Sequence, residues 1–230
     1  MVNKKRHITY NELISDWPPV EHDPAAVVKA WGYDWRVDYR FDPNKSDWKN
    51  SWVIYGSSSA YGHYVDSKFD LAHQLSELLN EPVINCAYPG TGIQHHVLMQ
   101  SLVRHHHGNP KGEIFCWASP YKWLGFEETD MISTPWLSRV HFDLNKENRR
   151  PYKEIFPQLP QQAYLSKLAS KVINPDLIEF TDSLETLEQW PDLWFWDIDK
   201  CPDRALDDKH SGPLGISIAA KWCYEQIRSK

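Results

Sequence analysis

The sequence predicts an α/β fold: a three-layer α/β/α sandwich around a mostly parallel central sheet. Three observations lead there. Short apolar runs at Trp52–Tyr55, Val83–Cys86 and Glu113–Ala118 have strand length, and each is followed by turn residues. Segments with apolar residues at helical spacing lie between them, so strand and helix alternate as in βαβ units, which build parallel sheets. The third run, Glu113-Ile114-Phe115-Cys116-Trp117-Ala118, is nearly all apolar, as expected of a strand covered on both faces.

The remaining elements follow in order. Residues 1–50 carry Trp17-Pro18-Pro19 and Asp23-Pro24, which interrupt any long element, and Ala25 to Trp31 reads as a short helix. This segment is too small to bury its own core. It is expected to wrap on the core as an N-terminal extension through Trp31, Trp35 and Trp48, leaving residues 51–230 as a single domain. Trp52–Tyr55 opens the sheet. A helix near Ser67 to Asn80 follows, with Phe69, Leu71, Ala72, Leu75, Leu78 and Leu79 as its stripe and Ser67 with Asp70 as its cap. Glu81-Pro82 ends it. After the second strand comes a loop, Ala87-Tyr88-Pro89-Gly90-Thr91-Gly92. A helix from about Ile93 to His107 presents Val97, Leu98, Ser101 and Leu102 on one face, and Gly108-Asn109-Pro110 stops it.

Residues 119–160 lack periodicity and contain Pro120, Pro135, Pro151, Pro157 and Pro160, which marks an irregular excursion over the sheet edge. Gln161 to Ile173 is helical, with Tyr164, Leu165, Leu168, Ala169 and Val172 at helical spacing. Asp176–Phe180 reads as a fourth strand, and Trp190–Ile198 as part strand, part loop. The last helix, from about Pro213 to Arg228, has its apolar positions at Ile216, Ala219, Ala220, Cys223 and Ile227.

Composition narrows the function classes. A chain of 230 residues, 41% hydrophobic and 24% charged, fits one globular domain. The net charge of -6 and the lack of a basic face argue against nucleic acid or an anionic membrane as partner. No apolar run reaches bilayer length, and the basic start Met1-Val2-Asn3-Lys4-Lys5-Arg6-His7 has no apolar segment behind it. The expectation is a cytoplasmic protein. Cys86, Cys116, Cys201 and Cys223 lie far apart without a CxxC pair, as for buried thiols in a reducing compartment. Twelve tryptophans are a surplus that can line a groove as well as pack.

Two stretches carry chemistry. The first strand ends in Gly56-Ser57-Ser58-Ser59-Ala60-Tyr61-Gly62, and ligands of open α/β sheets bind at that C-terminal edge. Such a turn is also ordinary structure. A serine hydroxyl there becomes a nucleophile only when a base takes its proton. Asp207-Asp208-Lys209-His210-Ser211-Gly212-Pro213-Leu214-Gly215, before the last helix, can supply that base. An aspartate three residues before a histidine can hold one imidazole nitrogen and leave the other free, the base-and-orienter half of a serine triad. Asp207 as a helix cap is the alternative.

Together these segments resemble the SGNH, or GDSL-like, hydrolase family. Its first motif, Gly-Asp-Ser with a later glycine, matches Gly56, Ser58 and Gly62; its second matches Asn85 and Gly90; its last matches Asp207, His210, Gly215 and Ala219. The resemblance covers about residues 50 to 228 and implies a flavodoxin-like sandwich. It implies Ser58 as nucleophile, His210 as base, Asp207 as orienter, and the backbone N–H groups of Ser58 and Gly90 as the oxyanion hole. The implied reaction is ester cleavage through an acyl-serine intermediate, on a small-molecule or glycan ester; the aromatic surplus points to a carbohydrate O-acetyl group. No cofactor is implied.

There are two departures from the family pattern. Ser57 replaces the usual aspartate. Trp117-Ala118-Ser119-Pro120-Tyr121-Lys122 replaces the third motif and its asparagine, leaving Ser119 and Lys122 as substitute oxyanion donors. This pattern is similar to a divergent branch often encoded by phages and environmental bacteria. A non-catalytic module binding a glycan or a protein partner is the rival: the missing asparagine favours it, and the Asp207/His210 pair favours the enzyme. His95, His96, His105, His106 and His107 lack the HExxH arrangement of a metal site, and the last three suit a helix C-terminus. Asp197, Asp199 and Asp203 could bind a hard cation, but an acidic solvated loop is the commoner case.

Overall fold

The computed structural model describes residues 27–30, 33–36, 46–89, 91–120, 124–125, 138–139 and 159–230. The strands are β1 (Val27–Ala30), β2 (Tyr33–Arg36), β3 (Trp52–Tyr55), β4 (Val83–Asn85), β5 (Gly112–Trp117), β6 (Leu124–Gly125), β7 (Ser138–Arg139), β8 (Ile178–Thr181) and β9 (Trp194–Phe195). The helices are α1 (Ser58–Tyr61), α2 (Leu71–Leu79), α3 (Ile93–His107), α4 (Leu159–Ile173), α5 (Leu184–Gln189) and α6 (Pro213–Arg228).

One five-stranded sheet runs in the order β4-β3-β5-β8-β9, and every neighbouring pair is parallel. Within this sheet the chain enters at β3, steps outward to β4, then crosses back to β5 and continues the other way. In this doubly wound order the crevice at the C-terminal ends of β3 and β5 is the switch point where ligands bind.

Strand alternation supplies two cores. Ile54, Ile114, Cys116, Ile178 and Phe180 pack with Leu71, Leu75, Ile216, Ala219, Ala220 and Cys223 of α2 and α6. Val53, Tyr55, Phe115 and Trp117 pack on the opposite face with Ile93, Met99 and Val103 of α3 and Ala163 of α4. Helices α2 and α6 contact each other on one side, α3 and α4 on the other. These are the three layers of an α/β/α sandwich. No disulfide joins the cysteines; Cys86, Cys116 and Cys223 are buried, and Cys201 is half-buried.

Several elements differ from the sequence expectation. Val27–Ala30 is a strand paired antiparallel with β2, not part of a helix from Ala25 to Trp31, and β-branched Val27 and Val28 favour that outcome. Trp31 and most of the first 45 residues lie outside the described residues. Trp48 is buried and stacks on His107 with ring centroids 4.8 Å apart. Helix α2 begins at Leu71, not Ser67. Ser67–Phe69 is a separate 3-10 turn, and Asp70, in extended backbone, is the cap: its carboxylate accepts the His73 N–H at 2.7 Å. Phe69 thus precedes the helix, and both it and Leu78 are exposed. The fourth strand ends at Thr181, and α5 and β9 complete the sheet edge. Most of the excursion at 119–160 lies outside the described residues; within it, β6 pairs antiparallel with β7.

The helices on the second face turn from their apolar stripes, α4 fully and α3 in part, since Val97 and Leu102 still pack against the core. Helix α3 exposes Leu98 and buries His95, His96 and Gln100 beside Ile93, Met99 and Val103. Helix α4 exposes Tyr164, Leu165, Leu168 and Val172 and buries Ala163, Lys167 and Ser170. Two carboxylates explain this, because a buried charge requires partners. Glu113, on β5 and 1% exposed, accepts from Tyr55 Oη (3.2 Å), Gln100 Nε2 (3.0 Å), Asn174 Nδ2 (2.8 Å) and Arg104 Nε and Nη2 (3.0 and 2.7 Å). Glu179 on β8 accepts from Trp117 Nε1 at 3.0 Å and pairs with Lys167 at 3.3 Å and Lys171 at 2.7 Å. The polar flank of each helix is drawn inward to meet these charges.

Candidate active site

Strand β3 ends at Tyr55, and the chain turns at once into α1, a single helical turn. Gly56 permits the turn: a Cβ there would stand 2.6 Å from the Cβ of Ala60 and 3.2 Å from that of Cys116. Gly62 closes it in the left-handed region at φ 74°, donating its N–H toward the carbonyls of Ser58 and Ser59. A helix of four residues cannot hold itself together, so its place depends on tethers. Asn85, at the end of β4, donates through Nδ2 to the Ala60 carbonyl at 3.1 Å and accepts the Ala87 N–H at 3.1 Å. The Tyr88 N–H donates to the Gly56 carbonyl at 3.0 Å. Ser59 Oγ donates to the carboxylate of Asp182, just beyond β8.

The three serines differ in surroundings. Ser57 is buried, and its Oγ has no hydrogen-bond partner among the described residues. Ser59 is buried and bound to Asp182. Ser58 alone of the three is partly exposed, at the start of α1.

In the loop before α6, His210 Nδ1 lies 2.6 Å from Asp207 Oδ2. The second oxygen, Oδ1, accepts the N–H groups of Lys209 and His210, both at 3.1 Å. Asp208 takes φ 55°, and the loop is closed by Ala205 N–H to the His210 carbonyl (2.9 Å) and Asp208 N–H to the Ala205 carbonyl (3.0 Å). Burial works to raise the Asp207 pKa, but the bonds from the His210 ring and from the Lys209 and His210 backbone outweigh it and hold the carboxyl below its usual range. An ionised carboxylate at Nδ1 keeps the ring proton there and leaves Nε2 as the acceptor. Asp207 is not the cap of α6. Asp203 has that task, its two oxygens accepting the Leu214 and Gly215 N–H groups at 2.8 Å each, so it is not a merely solvated acid.

His63 links the two stretches. Its N–H donates to the Ser58 carbonyl at 3.0 Å, and its ring lies edge-on to that of His210 with centroids 5.4 Å apart. Tyr64 completes the wall, 4.0 Å from the His63 ring and 6.2 Å from that of His210. Tyr64 sits at φ 62°, a conformation a bulky residue adopts only at a cost of about 1–3 kcal/mol, and such strain clusters at functional sites. Sequence reasoning missed His63, Tyr64, Ser59 and Asp182. A histidine directly after the motif's final glycine was a readable signal; Asp182, 123 residues from Ser59, offered none.

Of the other expected site residues, Ser119 is half-buried just after β5, and Gly90 and Lys122 lie outside the described residues. His95 is fully buried, and burial lowers its pKa to about 3. Among the described residues, no group of three or more His, Cys, Asp or Glu side chains is arranged to hold a metal ion, and no helix is long and apolar enough to cross a membrane.

No family model matches the chain, and no curated protein matches it. Among solved structures, a protein from Desulfitobacterium hafniense DCB-2 assigned to the G-D-S-L family of lipolytic proteins is similar at 9% identity and a TM-score of 0.45, over 77% of this chain and 99% of that one. The chemistry of the site therefore stands on its own geometry.

Proposed function

We propose that this chain is a serine ester hydrolase with Ser58 as nucleophile, His210 as general base and Asp207 as its orienter. The observation that carries the reading is the Asp207–His210 pair: a 2.6 Å contact to Nδ1, with the other carboxylate oxygen held by two backbone N–H groups. The reading is supported by His63, whose N–H donates to the Ser58 carbonyl while its ring packs edge-on against that of His210.

In the first half-reaction Ser58 Oγ attacks the ester carbonyl while His210 Nε2 takes the hydroxyl proton. The imidazolium, stabilised by Asp207, returns that proton to the departing alkoxide as the C–O bond breaks. Water then repeats the sequence on the acyl-serine and releases the acid. The developing oxyanion would be met by the N–H groups of Ser58 and Gly90, with Ser119 or Lys122 in place of the family's asparagine. The substrate class is a small or glycan ester, including a carbohydrate O-acetyl group. The test is turnover of p-nitrophenyl acetate together with labelling of Ser58 by a fluorophosphonate. Absence of both from folded protein refutes the enzyme.

One observation favours the rival reading, a non-catalytic glycan-binding module. An open groove of about 730 Å³, lined in part by Trp190, Trp194, Trp222 and Lys171, runs beside the β8–β9 edge. Aromatic faces beside polar groups suit a sugar. Glycan binding that persists in Ser58→Ala and weakens in Trp190→Ala, with no turnover by the unmutated protein, would decide for it.

A further inference from the structure

We propose that Asp182 is a positioning residue: through Ser59 it fixes the one-turn helix that carries Ser58. The inference rests on the serine-hydrolase reading and adds a residue to it. Helix α1 has four residues and needs outside support. Asn85 braces its far end at Ala60. At the near end, the residue adjacent to Ser58 is held by a hydroxyl-to-carboxylate bond from Ser59 to Asp182. Such charge-assisted bonds are about twice as strong as neutral ones.

A tether positions only if its anchor is fixed, and Asp182 is held on both sides. Before it, Thr181 Oγ1 donates to the Trp117 carbonyl at 2.7 Å and accepts the Ser183 N–H at 3.0 Å. After it, Ser183 Oγ accepts the Thr186 N–H at 3.3 Å, and Thr186 Oγ1 donates to the Ala118 carbonyl at 2.7 Å. Residues 181–186 are thus bolted to the end of β5. Because β5 lies between β3 and β8, the Ser59 bond closes a bridge over its C-terminal end. The nucleophile turn is thereby referenced to β5 and β8 as well as to β3, which it follows, and β4, which carries Asn85.

The experiment compares unmutated protein with Ser59→Ala, Asp182→Ala, Asp182→Asn and the Ser59→Ala/Asp182→Ala double variant. It measures the fluorophosphonate labelling rate of Ser58, kcat and KM on p-nitrophenyl acetate, and Tm to confirm folding. Misplacing a reacting group by about 1 Å costs on the order of 100-fold. Each alanine variant should therefore lose about 10- to 100-fold in kcat and labelling with KM little changed. The double variant should be no worse than the worse single one, and Asp182→Asn, which keeps an acceptor, should recover part of the rate. Folded alanine variants as fast as the unmutated protein, or single losses that multiply in the double variant, overturn the positioning role alone. Unmutated protein that neither labels nor turns over overturns it together with the hydrolase reading.

Discussion

Asp207→Asn tests the base most directly, and the structure says what the substitution does. Asp207 Oδ1 is committed to the N–H groups of Lys209 and His210, so the retained amide oxygen must occupy that position. The new NH2 then stands where Oδ2 was, 2.6 Å from His210 Nδ1, and donates to it. His210 is forced to carry its proton on Nε2, the atom that accepts one from Ser58 in the proposed mechanism. Loss of the correct tautomer in a triad costs about 10⁴-fold in kcat, about 5 kcal/mol of transition-state stabilisation. The fold should barely notice: one charge-assisted bond is weakened, worth about 1 kcal/mol, or about 2–4 °C in Tm for a chain of this size. The assay is kcat on p-nitrophenyl acetate beside a thermal melt. A folded Asp207→Asn variant within tenfold of the unmutated kcat would refute the orienting role.

Gly56→Ala places a methyl group 2.6 Å from Ala60 Cβ, where neither strand nor helix can yield; denaturant titration should show a loss of about 1–3 kcal/mol. Glu113→Ala strips Arg104 of its carboxylate in a half-buried position, and urea unfolding should register a loss of about 3–5 kcal/mol. Stability should also fall with acid in two stages. His95 is held near 3 by burial, below its ordinary 6.5, so the unfolded chain binds the extra proton. That stabilisation is full above pH 6.5 and declines as pH drops toward 3, by up to about 1.4 kcal/mol per unit. Asp207, also depressed, adds its own loss below about pH 4. Urea midpoints measured from pH 7 to 4 should show the first stage, and His95→Gln should flatten it; a variant with the parent's slope would contradict the assignment.

The parallel sheet was legible because its strands are short, apolar and each followed by turn residues. The Asp207–His210 pair was legible because its contact is local, three residues apart, and such geometry depends little on the rest of the fold. The orientation of α3 and α4 was not. Helical spacing gathers Leu165, Leu168 and Val172 on one face without saying which way it turns; the structure exposes that face, because Glu113 and Glu179 on the sheet draw Arg104, Lys167 and Lys171 toward them. A buried carboxylate can be paired only by a partner whose position the fold decides. The capping of α6 by Asp203, eleven residues before Leu214, was hidden for the same reason, as was the Ser59–Asp182 bond.

The Glu113 cluster has a consequence for how the molecule loosens. Five donor contacts from a strand, a helix and the residue after another helix converge on one carboxylate where β5 begins, whereas separate hydrogen bonds, each on its own acceptor, secure the rim that carries Ser58 and His210. The sheet resembles a hand fan riveted at the handle. Mild denaturant should spread the rim before the rivet gives, so amide exchange at Ser58–Gly62 should quicken, and activity fade, while the amides of β5 remain protected.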